Sequence, residues 1–279
     1  MIQDSVKLKS QDVSTIATAF AKARQARTAL VDYPGTIPET LNEAYQIQDL
    51  AISLRSEPII GWKIGRLSAE GFARHGSERL CGPIFQSLVR FDAGNIHDVW
   101  VHDGGFAAVE AEFLIKIKAD TDPLKHHYEP DEALYFVESI HAGIEMAGSP
   151  LKTINALGPT VVVSDFGNNN GVIIAQSLWD SHSDKVPFDS VLLDNLRVKT
   201  WIDETIVGEG GLSHMPSGVL KAVAWLAGHL AQRSYPLKQG QWISSGAMTG
   251  IHEVGPGQSA HIEFTNAQTH VPIRLRTNL

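Results

Sequence analysis

Apolar residues recur at three- and four-residue steps through Val13, Ile16, Ala17, Phe20 and Ala21, and this spacing predicts an amphipathic helix near the start of the chain. Asp32-Tyr33-Pro34-Gly35 reads as a turn. The next four residues, Thr36-Ile37-Pro38-Glu39, have the form of a capping box: a Thr cap, an early Pro and a Glu three residues after the cap. The helix expected to follow carries Leu41, Ala44, Tyr45, Leu50, Ala51 and Leu54 on one side. Beyond Pro58 the texture changes to short apolar stretches broken by glycine-rich turns. The segments IIGWKIG, GPIF, VEAEFLIKIKA, GPTVVVSDFG, GVIIAQSLW and VLLDNLRVKTWID all predict strands. Two helices are expected among them. One runs from about Pro130 to Ala142, with acidic residues at its start where the helix dipole favours them. The other runs from about Pro216 to Arg233, with Val219, Val223, Leu226, Ala227 and Leu230 on one face. Strands return in WISSGAM, HIEF and PIRLRT. The unequal spacing does not make a βαβ series, so the pattern points to an α+β or mainly β core with a helical N-terminal part.

Composition narrows the function classes. A hydrophobic fraction of 43% over 279 residues is ordinary for a globular chain with a sizeable core. Charged residues make up only 19%, which leans towards a chain that buries surface between subunits. The net charge of −8 and the lack of a Lys/Arg run argue against nucleic-acid binding. No apolar stretch is long enough to span a membrane, and the first dozen residues lack the apolar core of a secretion signal, so a cytoplasmic location is expected. One cysteine, Cys81, excludes a disulfide framework and a cysteine-rich zinc site.

The segment Val109-Glu110-Ala111-Glu112-Phe113-Leu114-Ile115-Lys116-Ile117 is the most informative. As a strand it points Val109, Ala111, Phe113, Ile115 and Ile117 to one face and sets Glu110 and Glu112 on the other, roughly 7 Å apart. Two such carboxylates are stable if solvated, if one is protonated, or if a cation lies between them, and hard oxygen ligands suit Mg²⁺, Mn²⁺ or Ca²⁺. From the strand alone, a solvated face is the plainer alternative. Glu145 lies among small and apolar residues, where it either caps a turn or supplies a third ligand. Lys63 sits inside Ile59-Ile60-Gly61-Trp62-Lys63-Ile64-Gly65, either reaching out to water or buried beside carboxylates as a general acid/base or charge-stabilising group.

Taken together the motifs resemble the fumarylacetoacetate hydrolase superfamily, and within it the branch of 2-oxopent-4-enoate hydratases and 4-oxalocrotonate decarboxylases. The resemblance runs from about Tyr45 to the C-terminus, through AYQIQ (44–48), GWKIG (61–65), GPIF (82–85), VEAEF (109–113), GIEMAGS (143–149), SDFGNNNG (164–171), AVAWLAGHL (222–230) and GQWISSGAMTG (240–250), in that order. It implies a mixed β-sandwich roll with flanking helices, divided here as a helical N-terminal part over 1–70 packed on a catalytic β-roll over 71–279. It also implies Glu110, Glu112 and Glu145 as ligands of Mg²⁺ or Mn²⁺, Lys63 and Asp165 as catalytic residues, and Ser245 as a substrate-binding hydroxyl. Phe166 stands where the common pattern has Asn.

The implied activity is that of a lyase acting on a small 2-oxo acid: a hydratase adding water to a 2-hydroxy-2,4-dienoate of the kind formed in aromatic catabolism. The alternatives are a 4-oxalocrotonate-type decarboxylase, an acylpyruvate-type C–C hydrolase and a non-catalytic homologue. A decarboxylase substrate carries a second carboxylate, for which Arg66, Arg74 and Arg90 are candidate cations. A homodimer or larger homo-oligomer is expected, with no nucleic-acid or membrane partner.

Overall fold

The structure is a computed structural model that describes residues 9–182, 195–211 and 218–279. Two helices open it. Helix α1 spans Ser10–Ala26 and buries Ile16, Ala17, Phe20, Ala23 and Arg24. Helix α2 spans Leu41–Ser53 and starts with a capping box, but one turn later than expected: Thr40 accepts from the Glu43 N–H, and the Glu43 carboxylate accepts in return. Thr36 and Glu39 lie before the helix, because Thr40 is the residue that stands three places before a Glu with the apolar stripe already in phase.

Strands β1 (Ile59–Arg66), β2 (Arg79–Phe85), β3 (Val89–Phe91) and β4 (Ile96–Trp100) follow, with the short helix α3 (Ala69–His75) between β1 and β2. Then come the long strand β5 (Phe106–Ile117), the single turn α4 (Pro130–Leu134), the long strand β6 (Val137–Ser149), the short helix α5 (Pro159–Ser164) and β7 (Asn169–Asp180). The chain ends with β8 (Arg197–Ile202), β9 (Thr205–Gly210), α6 (Gly218–Gln232), β10 (Trp242–Ser244), β11 (His252–Glu253), β12 (Ser259–Thr265) and β13 (His270–Asn278).

The helix expected over Pro130 to Ala142 is therefore corrected: it stops after Leu134, and Val137 to Ala142 belong to β6. The strand expected in GPTVVVSDFG is also corrected. Pro159 occupies the first turn after Gly158 at φ 99°, and the valines form α5 instead. The first residues of VLLDNLRVKTWID, and Pro216 and Ser217 of the second expected helix, lie outside the described residues.

The strands make two sheets. The larger, eight-stranded sheet runs β2-β1-β10-β5-β6-β7-β3, with β11 also pairing β5. Its centre is antiparallel, while β1 pairs β10 and β3 pairs β7 in parallel. The five-stranded sheet runs β4-β13-β12-β8-β9. Both sheets and helices α1, α2 and α6 contribute to one main core, bridged between sheets by Phe113 against Phe264. This is the mixed α+β roll that the motifs imply. Strand β1, at chain positions before residue 71, sits inside the larger sheet between β2 and β10. Among the described residues no helix is long and apolar enough to cross a membrane.

Candidate active site

Strand β5 carries the alternation read from its sequence. Val109, Ala111, Phe113, Ile115 and Ile117 enter the main core. The opposite face is buried too: Glu110 is 4% exposed and Glu112 0%. A solvated strand face is thereby excluded. Glu145 is not in a turn but in the middle of β6, directly opposite Glu110 in the ladder, and it is 0% exposed. Gly143, opposite Glu112, leaves room for Leu114; a Cβ there would stand 2.0 Å from Leu114 Cδ2. One ligand atom from each of Glu110, Glu112 and Glu145 lies within 4.8 Å of the others.

Two of the three carboxylates are partly anchored. The Ser244 hydroxyl donates to Glu112 Oε2 at 2.5 Å, and the Gly246 N–H donates to the same oxygen at 2.9 Å. The Asn169 amide donates to Glu145 Oε1 at 2.8 Å. The second oxygens of these two, Glu112 Oε1 and Glu145 Oε2, and Oε1 of Glu110 are buried without a hydrogen-bond partner among the described residues. Orphaned buried carboxylate oxygens are costly, and three converging ones form a donor set for a hard divalent cation. Glu110, Glu112 and Glu145 thus fit Mg²⁺ or Mn²⁺.

Lys63 faces this cluster from β1. Its Nζ lies 3.5 Å from Glu145 Oε1 and donates to Asn168 Oδ1 at 3.2 Å. It is buried, not reaching for bulk water. Gly61 lets β1 approach β10, since a Cβ there would stand 2.2 Å from the Trp242 carbonyl oxygen. Burial, then the charge of Glu145, raises the Glu110 pKa to about 7 against the pull of Lys63. Burial and the two neighbouring carboxylates push Glu112 well above its usual range. Burial pulls Lys63 down, but Glu145, Glu110 and Glu112 together outweigh it and raise the lysine, so the ammonium stays charged. When all are ionised, three carboxylates face one ammonium, and a divalent cation cancels the remainder.

Beside the cluster opens a cavity of about 350 Å³, lined by Lys63, Glu110, Asn155, Asn168 and Ser245, with Arg66 and Arg79 also on its wall. The Ser245 hydroxyl accepts from the Phe113 N–H at 3.2 Å, which fixes the oxygen and leaves its own hydrogen to donate. Asp165 is placed differently from the others. It is fully buried and absent from the cavity lining. Its carboxylate accepts from Arg24 at 2.5 and 3.0 Å and from the Ser149 hydroxyl at 2.6 Å. Arg24 also donates to the carbonyls of Gly148 and Asn169 at 2.8 and 2.9 Å. Asp165 and Arg24 therefore clamp the end of β6 to the Asn169 turn, and Asn169 in turn holds Glu145. Phe166, at φ 55°, begins that turn and packs edge-on against Phe85. Gly82 permits it, because a Cβ there would overlap the Phe166 carbonyl oxygen at 1.8 Å.

Sequence reasoning did not single out Arg24, Arg79, Asn168, Asn169 or Ser244. Arg24 had a signal: four residues after Phe20, it falls on the apolar face of α1. Of the other two arginines proposed for a second carboxylate, Arg74 lies on α3 away from the cavity lining, and Arg90 lies on β3 at the far edge of the sheet.

No protein-family model matches the sequence, and no curated protein does. Solved structures do match. The chain is similar to a 4-oxalocrotonate decarboxylase from Pseudomonas putida G7, complexed with magnesium and adipate, with a TM-score of 0.76 at 20% identity over 98% of this chain and 100% of that one. It is similar to a fumarylpyruvate hydrolase from Pseudomonas aeruginosa in complex with Mn²⁺ and pyruvate, with a TM-score of 0.55 at 13% identity over 81% of this chain and 92% of that one. A yeast fumarylacetoacetate hydrolase family protein matches with a TM-score of 0.53 at 14% identity over 81% of this chain and 94% of that one. At these identities the likeness establishes the fold: the chain is built on the fold shared by 4-oxalocrotonate decarboxylase and fumarylacetoacetate hydrolase family proteins.

Proposed function

We propose that this chain is a divalent-metal-dependent lyase of 2-oxo acids. The observation that carries the proposal is the set of three buried, unpartnered carboxylate oxygens of Glu110, Glu112 and Glu145 beside a charged Lys63, at the wall of a cavity. Glu110, Glu112 and Glu145 would hold Mg²⁺ or Mn²⁺, which would supply electron withdrawal at C2 of the substrate and so favour an enolate at C2–C3. Two of the similar structures, holding magnesium with adipate and Mn²⁺ with pyruvate, support such a pairing of cation and carboxylate ligand.

The roles of the chain's own residues follow from their placement. Lys63 orients the substrate carboxylate and stabilises the negative charge that develops on the 2-oxo end of the substrate. Ser245 donates its free O–H to a substrate oxygen. Asn168 holds the Lys63 ammonium in position. Asp165 works through Arg24 as a positioning residue, keeping Asn169 against Glu145. Ile64, Leu67, Leu80, Val162 and Ile251 give the cavity apolar walls that suit a hydrocarbon chain and keep water away from the carbanion-like centre.

The reaction we assign first is hydration: the 2-hydroxyl of a 2-hydroxy-2,4-dienoate gives up its proton as C5 takes one, and water then adds across the C3=C4 bond of the resulting 2-oxo-3-enoate, its oxygen at C4 and its proton at C3. Decarboxylation of a 4-oxalocrotonate is the second reading, supported by the likeness to the Pseudomonas putida decarboxylase over nearly the whole of both chains. Both need the same electron sink. Purified protein supplied with Mg²⁺ or Mn²⁺ and given each substrate separates them: water addition supports the first, CO₂ release the second, and neither product from either substrate sinks the lyase reading. A homodimer or larger assembly is part of the same proposal, supported by the exposed apolar residues Phe91, Ile96, Ile206 and Val207 on edge strands. Sedimentation at micromolar concentration tests it.

A further inference from the structure

Ser244 ends β10 level with Lys63 on β1 and with Leu114 on β5, so its side chain shares the sheet face that carries Glu110 and Glu112. It is fully buried, and its hydroxyl lies 2.5 Å from Glu112 Oε2. Gly246, at φ 109°, turns its N–H onto the same oxygen at 2.9 Å. A carboxylate oxygen has about two lone-pair sites, and on Glu112 Oε2 both are taken by neutral donors. Glu145 is held in the same way from the other side. Its Oε1 accepts from the Asn169 amide at 2.8 Å and faces the Lys63 ammonium at 3.5 Å. Asn169 Oδ1 accepts from the Gly171 N–H at 3.2 Å, which turns the NH₂ of that amide towards Glu145.

Glu112 and Glu145 therefore each have one saturated oxygen and one buried oxygen with no partner among the described residues. Each is free to ligate through a single atom, and the donors close the two-oxygen mode to both. Oε1 of Glu110 joins them as the third orphan. The number of oxygens a site presents decides which hard cation it suits. Mg²⁺ and Mn²⁺ take about six oxygens in a near-regular octahedron, at about 2.0–2.2 Å. Ca²⁺ takes about 6–8 at about 2.3–2.6 Å, and readily binds a carboxylate through both of its oxygens. A cluster held to single oxygens suits the smaller cations.

We propose that Ser244 and Asn169 are the residues that set the cation preference of the site: by occupying Glu112 Oε2 and Glu145 Oε1 they hold each glutamate to one ligating oxygen and favour Mg²⁺ or Mn²⁺ over Ca²⁺. The proposal rests on the reading of the three glutamates as a cation site and concerns which cation that site takes. Neither residue touches the cation in this scheme, so both are positioning residues. Sequence reasoning singled out neither: the hard-oxygen donors alone leave Mg²⁺, Mn²⁺ and Ca²⁺ equally open.

The test is calorimetric titration of chelator-treated protein with Mn²⁺ and, separately, with Ca²⁺. The wild type is expected to bind Mn²⁺ more tightly than Ca²⁺. Ser244→Ala removes one hydroxyl and frees Glu112 Oε2 to ligate; Asn169→Ala does the same for Glu145 Oε1. Each variant, checked for folding by circular dichroism, is expected to lose about 10- to 100-fold in Mn²⁺ affinity, the usual cost of removing a group that orients a ligand. Ca²⁺ affinity is expected to hold or rise, so the Mn²⁺-to-Ca²⁺ ratio falls by the same factor or more. A merely structural role would weaken both cations alike and leave the ratio where it was. Equal affinities in the wild type, or a ratio unchanged in both variants, overturn the proposal, while the binding itself leaves the cation-site reading standing. A ratio that falls in one variant alone removes the other residue from the proposal. If neither cation binds the wild type, the cation-site reading fails, and the preference fails with it.

Discussion

Glu110 and Glu145 stand directly opposite each other across the β5–β6 ladder, both buried and both acidic. Opposed like charges weaken a sheet, and here burial removes the water that ordinarily screens them. The Lys63 ammonium, 3.5 Å from Glu145, offsets part of the repulsion, and a divalent cation offsets the rest. The ladder is strained electrostatically for the sake of what it binds.

Metal binding should therefore stabilise the fold through these carboxylates. At about 100 times its dissociation constant, Mn²⁺ is expected to stabilise the wild type by about 2.7 kcal/mol, and a chelator should reverse the gain. Glu145→Gln preserves shape and can still accept from Asn169, yet it removes a ligand charge. Thermal unfolding with and without Mn²⁺ should show no gain for this variant. An unchanged Mn²⁺-dependent rise in Glu145→Gln would remove Glu145 from the ligand set.

Acid stability should be governed partly by histidines outside the site. Burial, then Arg24 and Arg27, pushes His102 down to about 3. Burial, then Arg233, pushes His229 down to about 3. Each folded-state value lies below the unfolded value of about 6.5, so the unfolded chain takes up protons first. The contribution is fully present above about pH 6.5 and is lost as pH falls towards 3, by up to about 1.4 kcal/mol per pH unit for each histidine. Both ring nitrogens of His102 lack a partner among the described residues, and the ring packs edge-on against Trp100. His102→Phe keeps an aromatic ring and removes the titration. Urea midpoints between pH 6.5 and 4 should fall less steeply for this variant than for the wild type; parallel slopes would show that His102 does not titrate on unfolding.

Much of the site was legible because its residues break local patterns. Glu110 and Glu112 interrupt an apolar strand, and Lys63 interrupts another. What sequence could not supply was the pairing between distant segments. Nothing local announces that Glu145 stands opposite Glu110, in a strand that follows a helix ending at Leu134 and not at Ala142. Ser244 and Ser245 are adjacent and chemically equal. The resemblance implies Ser245 as a substrate-binding hydroxyl, and it does lie on the cavity wall, but that Ser244 turns to Glu112 is marked by nothing in the sequence. α3, β3 and β4, each seven residues or fewer, are too short for periodicity to declare them. The valines of α5 favoured a strand by propensity, and Gly158-Pro159 overrode them.

The Arg24–Asp165 pair should be essential to the clamp around Glu145. Removing one partner from a buried ion pair costs about 3–5 kcal/mol, because the other is left charged and unpaired. Arg24→Leu strands Asp165 with Ser149 alone and frees the Gly148 and Asn169 carbonyls. Arg24→Leu/Asp165→Leu should recover part of the loss, since no isolated charge remains. Denaturant unfolding of the two single variants and the double variant reads the coupling directly; additive losses would mean that the two side chains do not act as a pair.

Lys63 is the residue on which charge stabilisation and metal binding pull in opposite directions. Its ammonium is buried, donates to Asn168 and lies 3.5 Å from a carboxylate oxygen of the cation site. The carboxylates raise its pKa despite burial, which favours the role we propose for it, positioning and charge stabilisation, over that of a proton acceptor. A fixed positive charge also repels a cation entering the same cluster. Lys63→Met keeps the chain length and removes the charge. Mn²⁺ affinity should therefore hold or tighten, while turnover should fall about 10²- to 10⁴-fold, the range for loss of a positioned electrostatic or acid–base group. The two measurements separate the possible roles. A fall in both turnover and Mn²⁺ affinity would mean that Lys63 holds the glutamates in shape. Wild-type turnover with Mn²⁺ bound would mean that the lysine only neutralises the metal-free cluster and takes no part in the chemistry.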